Sequence, residues 1–176
     1  MRLNSEDAKA IEAEIPYLRR YARVLTGAPD TADDLVQDGL ERAIGRFDQF
    51  RRGTNLRAWL FTILHHIRCD QHRRVVRRPT EIPIEDAPQQ ASTRASQADA
   101  LHLADFKRAF GRLSEPHREV LVLVGIEGMD YQRAADILGV EVGTVKSRVF
   151  RARESLRHQQ LMLERPLIRH RLPAAA

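Results

Sequence analysis

Between Asp130 and Leu156, two apolar stripes at helical spacing are separated by a single glycine, and no other stretch constrains the fold as tightly. Tyr131, Ala134, Ala135 and Leu138 recur at steps of three and four, which is one face of a short helix. Asp130 stands where a side-chain oxygen can cap the free N–H groups of that helix. Gly139 stands where a helix ends in a left-handed residue. A second helix follows, with Val142, Val145, Val149, Ala152 and Leu156 on its back. At about 100° per residue its front presents Gly143, Ser147, Phe150, Arg151 and Glu154, flanked by Lys146, Arg148 and Arg153.

Two helices so arranged suit the DNA major groove, which admits one helix whose N-terminal side chains reach base edges. Gly143 leaves room for close approach, and Thr144 can bond a phosphate. Ser147 and Arg151 can read bases, and Phe150 can meet a thymine methyl. Lys146, Arg148 and Arg153 can set the register by neutralising phosphates. A surface helix of an ordinary bundle would share the apolar back. The cations on front and flanks favour DNA, as does a net charge of +5 over 176 residues.

Composition narrows the remaining classes. Cys69 is the only cysteine, so no intrachain disulfide can form, and a reducing cytoplasm fits. No apolar run approaches the roughly 18 residues of a membrane span, and the charged N-terminus does not read as a secretory signal. No Gly-rich phosphate loop is present, and nothing points to a cofactor or a small-molecule substrate.

Taken in order, the chain begins with a short helix capped by Asn4 or Ser5 and running through Ile11. A second helix has Pro16 in its first turn, turns Leu18, Tyr21, Ala22 and Leu25 inward, and stops at Gly27. A third is capped by Asp30 or Thr31, with Leu35, Leu40 and Ile44 toward a core. Asp34, Gln37, Asp38 and Glu41 then form an acidic and amide stripe, unsuited to DNA; a solvated face would carry the same charges. Residues 45–54 read as a loop. Thr54 or Asn55 caps a long helix whose stripe is Leu56, Trp59, Leu60, Ile63, Leu64 and Ile67. Trp59 reads mainly as core, with an edge that could stack on an unpaired base. The helix ends with Arg68, Arg73, Arg74, Arg77 and Arg78 against one acid, Asp70.

His65, Cys69 and His72 share one face of that helix at steps of four and three, a spacing zinc could use. Neighbours on one straight helix rarely enclose a tetrahedral ion, so the reading adopted is no metal site and no catalytic Cys–His pair. Residues 79–97, rich in Pro, Ser, Thr and Gln, read as a flexible linker. A helix resumes from Ala98 with Leu101, Leu103, Ala104, Phe106, Phe110 and Leu113. Ser114 and Pro116 start the next, although Leu121–Ile126 is also strand-prone. The last helix extends to about Glu164.

The run YQRAADILGVEVGTVKSRVFRARESL resembles region 4 of bacterial RNA polymerase sigma factors of the extracytoplasmic-function (ECF) class, in the sigma-70 family. DDLVQD and NLRAWLFTIL, earlier and in the family's order, resemble its region 2. The resemblance implies an all-α fold of two small helical domains. Region 2 would span 10–78, a linker 79–97, and region 4 with its helix-turn-helix 98–163. It implies docking on core RNA polymerase through Asp34, Leu35, Gln37, Asp38 and Glu41, although Gly39 replaces a larger residue of the usual motif. It implies minus-10 recognition and melting through Arg51, Asn55, Arg57, Trp59, Asp70, Arg73 and Arg74. It also implies reading of a minus-35 element containing AAC through Gly143, Thr144, Lys146, Ser147, Arg148, Phe150 and Arg151. Promoter DNA, core polymerase and an anti-sigma factor are the implied partners, and the polymerase performs the chemistry. WLFTIL and the RGTN loop look like the alphaproteobacterial general-stress subgroup. Two alternatives use less of the chain. One is a stand-alone helix-turn-helix regulator, for which the acidic stripe would be idle. The other is a sigma-like decoy for an anti-sigma factor, a class that usually carries a receiver domain for which this chain has no room.

Overall fold

The computed structural model describes residues 3–77 and 97–164, and side chains over 3–74 and 104–159. Its regular elements are seven α-helices: α1 (Ser5–Thr26), α2 (Pro29–Gly45), α3 (Leu56–Arg77), α4 (Gln97–Gly111), α5 (Glu115–Leu121), α6 (Tyr131–Leu138) and α7 (Val142–Glu164). A short 3₁₀ turn covers Phe47–Gln49, and α5 runs on into a π-helical turn over Val122–Ile126. No strand occurs among the described residues. The strand-prone run after Leu121 is therefore helical, and Gly128, at φ +66°, turns the chain into α6. The linker expected over 79–97 lies outside the described residues, except that Gln97 opens α4.

α1 is one helix, not the two expected. Asn4 caps it, its side chain accepting from the Asp7 N–H at 2.7 Å, and Gly27 ends it at φ +78°. Pro16 sits inside on the exposed side, and Glu12, whose carbonyl loses its N–H partner, is an exposed residue too. The apolar stripe of Ile11, Leu18, Tyr21, Ala22 and Leu25 runs uninterrupted across it. α2 starts at Pro29, earlier than the expected Asp30 or Thr31 cap, because proline's fixed φ suits the first helical position. Its buried residues are Ala32, Leu35, Val36, Gly39 and Ala43. Ile44, expected inward, lies about 100° from Ala43 and is 52% exposed.

α3 is the central helix. Leu60, Phe61, Leu64 and Ile67 are buried, while Leu56, Trp59 and Ile63 are half-covered. Phe61, absent from the expected stripe, is fully buried with its ring 4.5 Å from that of Tyr21. α1 and α2 pack on one side of α3 and α6 on another, so its buried arc is wider than one amphipathic face.

The two halves do not stand apart. One continuous core runs from Leu18 and Phe61 through Val120 and Leu123 to Val145 and Val149. Polar contacts line the seam. The Tyr21 hydroxyl donates to Glu119 Oε1 at 2.5 Å, and His65 Nδ1 lies 2.7 Å from the same oxygen. Arg20 donates to Glu127 at 2.5 Å, and Arg57 reaches the other Glu127 oxygen at 3.4 Å. Arg68 lies 3.4 Å from Glu115. In each pair α5 or the turn after it supplies the carboxylate, and α1 or α3 supplies the donor.

Candidate nucleic-acid interface

The sequence builds the α6–α7 unit from local signals. Asp130 Oδ1 accepts from the Arg133 N–H at 2.7 Å, and Gly139 closes α6 at φ +61°. Glu141, just ahead of α7, gives its carbonyl to the N–H groups of Thr144 and Val145. Ala134, Ala135, Ile137 and Leu138 of α6 face Val145, Val149 and Ala152 of α7 in the core. Ile137 completes a stripe that periodicity at Ala134 and Leu138 had left one residue short. Gly143, Lys146, Ser147, Phe150 and Arg151 are exposed, and Thr144 and Arg148 are half-buried. Phe150 is 67% exposed, a large apolar ring held in solvent. A Cβ at Gly143 would meet nothing within 4 Å, so the glycine leaves open space in front of the helix. The Ser147 hydroxyl donates back to the Thr144 carbonyl at 2.9 Å, which leaves its oxygen to accept from a base.

The second candidate group is divided. Asn55 Oδ1 accepts from the Ala58 N–H at 2.9 Å, so Asn55 is the cap of α3 as well as an exposed residue. The loop before it is shaped by Gly53 at φ +84° and by the Thr54 hydroxyl, which donates to the Arg51 carbonyl at 2.6 Å. Arg51 is exposed. Trp59 is half-buried between Phe47, whose ring meets it edge-on at 6.0 Å, and Phe50 at 5.3 Å. The two phenylalanines of GRFDQF thus belong with Trp59, which a separation of twelve and nine residues along the chain did not reveal. Asp70 pairs with Arg73 at 3.6 Å, and Arg73 and Arg74 are exposed. Arg57 is not presented to solvent strands as expected. It lies 3.3 Å over the Tyr17 ring, bonds Glu14 at 2.6 Å and reaches Glu127 of the other half.

On α2, Asp34, Gln37, Asp38 and Glu41 form one exposed face, with Gln37 bonded to Glu41 at 3.1 Å. Leu35 must be removed from that face: it is 1% exposed and belongs to the core.

His65, Cys69 and His72 are brought together only in part. His65 spans Glu119 on Nδ1 and Cys69 on Nε2, the latter at 3.4 Å, while His72 is exposed. Because a carboxylate only accepts, Nδ1 carries the hydrogen and Nε2 faces the thiol. Burial, aided by Glu119, pushes the Cys69 thiol above its ordinary value, the reverse of an activated nucleophile. No cluster of three metal-binding groups occurs among the described residues.

Comparison with known proteins gives the family of both halves. Residues 11–65 match the family model described as the Sigma2 domain of PhyR, and residues 103–156 match Sigma-70, region 4. The chain is 44% identical over 147 residues to the ECF RNA polymerase sigma factor EcfG of Rhodopseudomonas palustris, covering 83% of this chain and 80% of EcfG. The chain belongs to the ECF sigma factors. The sigma factor RpoE of Bartonella quintana, solved in complex with the anti-sigma factor NepR, superposes with a TM-score of 0.75 at 38% identity, over 92% of this chain and 100% of RpoE. CnrH, solved with the cytosolic domain of CnrY, gives 0.64 at 28%, over 92% of each chain. Region 2 of this sigma factor thus carries the acidic face and the Trp59 loop, and region 4 carries α6 and α7. The arginine-rich end of α3, with Asp70, Arg73 and Arg74, falls outside both matched spans.

Proposed function

We propose that this ECF sigma factor binds core RNA polymerase through Asp34, Gln37, Asp38 and Glu41 and directs it to two-part promoters. α7 reads the minus-35 element, with Ser147, Phe150 and Arg151 toward bases and Lys146 and Arg148 toward phosphates. The loop from Arg51 to Asn55 and the exposed edge of Trp59 take up unpaired bases of the minus-10 element, and Arg73 and Arg74 hold its backbone. The polymerase performs the chemistry, and the site of action is the cytoplasm. The observation that carries this reading is the presence of regions 2 and 4 in order within one chain 44% identical to EcfG.

The same relationship supports a role in a general stress response under an anti-sigma factor, since RpoE was solved bound to one. A decoy role gains support from the region 2 match, because PhyR is described as an anti-anti-sigma factor in one structure similar in fold. The cationic front of α7 argues for DNA instead. Run-off transcription with purified core polymerase on a supercoiled template library decides between them. Transcripts that depend on this protein and share a two-part motif support the sigma factor. Polymerase binding without transcripts supports the decoy. Absence of both transcripts and polymerase binding overturns the sigma-factor reading and leaves a lone helix-turn-helix protein.

A further inference from the structure

The seam between regions 2 and 4 combines two features that rarely coincide without consequence: buried charge and an occupied functional side chain. Glu119 is 5% exposed, and the Glu127 side chain is fully covered. Each carboxylate lies on region 4, yet both find their hydrogen-bond donors on region 2. A carboxylate buried this way is costly once its partners leave, unless water replaces them. Glu127 also occupies Arg57, a side chain read above as meeting the negatively charged promoter strand.

Dimensions make the packed form and the promoter-bound form mutually exclusive. A compact chain of this length has a diameter of about 40 Å. Elements centred at minus-10 and minus-35 lie about 80 Å apart along B-form DNA. The seam must therefore open before both elements can be read.

We propose that Glu119 and Glu127 form an intramolecular latch that holds region 4 closed on region 2, so that polymerase and promoter compete with this contact. The proposal rests on the sigma-factor reading for the competition, but not for the latch. With Arg20, Arg57, Tyr21 and His65 as its catches, the latch lowers apparent affinity for polymerase by the fraction of molecules that are open.

The test uses the full-length protein with two substitutions. Glu119→Gln keeps the volume but removes the charge. Arg20→Glu acts on a half-exposed side chain, where it sets a negative charge against Glu127 without disturbing either core. Circular dichroism establishes that each variant keeps its helices. Opening is read from the alkylation rate of Cys69, which is half-buried against His65, a partner of Glu119, and from the hydrodynamic radius. The expected result is alkylation about 10-fold faster, the worth of one charge-assisted hydrogen bond, a larger radius, and core-polymerase binding tighter by a similar factor. Helical variants with wild-type alkylation and radius overturn the latch. Variants that open but bind polymerase no more tightly than a binding-competent wild type overturn the competition. Opened variants and a wild type that all fail to bind polymerase overturn the sigma-factor reading, while the alkylation result still establishes the latch.

Discussion

Leu64 of α3 rests directly on Gly39 of α2, where any added Cβ would fall well inside van der Waals contact of its Cδ2. Leu64 is 1% exposed, so its methyl has no free space to swing into. The glycine that departs from the usual sigma motif is thus a close-approach point between two helices. Alanine there gains about 1 kcal/mol of helix propensity, but overpacking costs about 1–3 kcal/mol. Gly39→Val adds bulk without that gain, and is expected to lower unfolding free energy by about 2–3 kcal/mol. Urea denaturation checks this; a wild-type midpoint for Gly39→Val would show that the crossing is looser than described.

Tyr21 makes the seam sensitive to alkali. Burial, with Glu119 adding to it, raises the phenol well above its ordinary value of 10.0. The folded state therefore retains a proton that the unfolded chain releases from about pH 10 upward. The contribution is complete below pH 10 and is lost as pH climbs above it, at up to about 1.4 kcal/mol per pH unit. Cys69 shifts in the same direction from 9.0, so the comparison is made in a Cys69→Ser background. Tyr21→Phe is expected to flatten the loss of stability between pH 10 and 11. Parallel curves with and without the phenol would contradict the assignment.

How far the sequence could be read depended on how local each signal is. The α6–α7 unit was legible apart from Ile137, because Asp130, Gly139 and the stripe through Val145 and Val149 act within a few residues of one another. Pro16 misled because a proline break is averted by exposure, which a sequence does not display. Phe61 was missed because α3 is covered from two sides, so one-faced periodicity undercounts its core. Glu119 and Glu127 stand in no motif or periodic stripe that would mark them. Their partners Tyr21 and Arg20 lie 98 and 107 residues away, and no spacing rule connects them.

Residues on the front of α7 should separate into two kinds by their response to salt and sequence. Arg151 is exposed on the face that meets base edges. Arg151→Ala is expected to cost about 1–3 kcal/mol on the preferred minus-35 duplex and to relax selection at one position. Lys146 is exposed on the flank. Lys146→Ala is expected to weaken all sequences alike and to reduce the slope of log affinity against log salt by about 1. Binding titrations on a randomised duplex set at several salt concentrations measure both; an unchanged base preference in Arg151→Ala would remove that residue from direct readout.

The α2 face supplies the sharpest contrast between neighbouring side chains. Leu35 is 1% exposed, whereas Asp38, one turn further along, is exposed to solvent. Leu35→Ala opens a cavity in the core and is expected to cost about 2–5 kcal/mol of stability, losing polymerase binding only because the fold is lost. Asp38→Arg changes an exposed charge, so stability should move by no more than about 0.5 kcal/mol. A cation placed in an acidic docking face repels the surface that face complements, which lowers association most strongly at low salt. Asp38→Arg is therefore expected to melt like the wild type yet fail to assemble with core polymerase in a pull-down. Normal assembly of a folded Asp38→Arg protein would move the docking face away from α2.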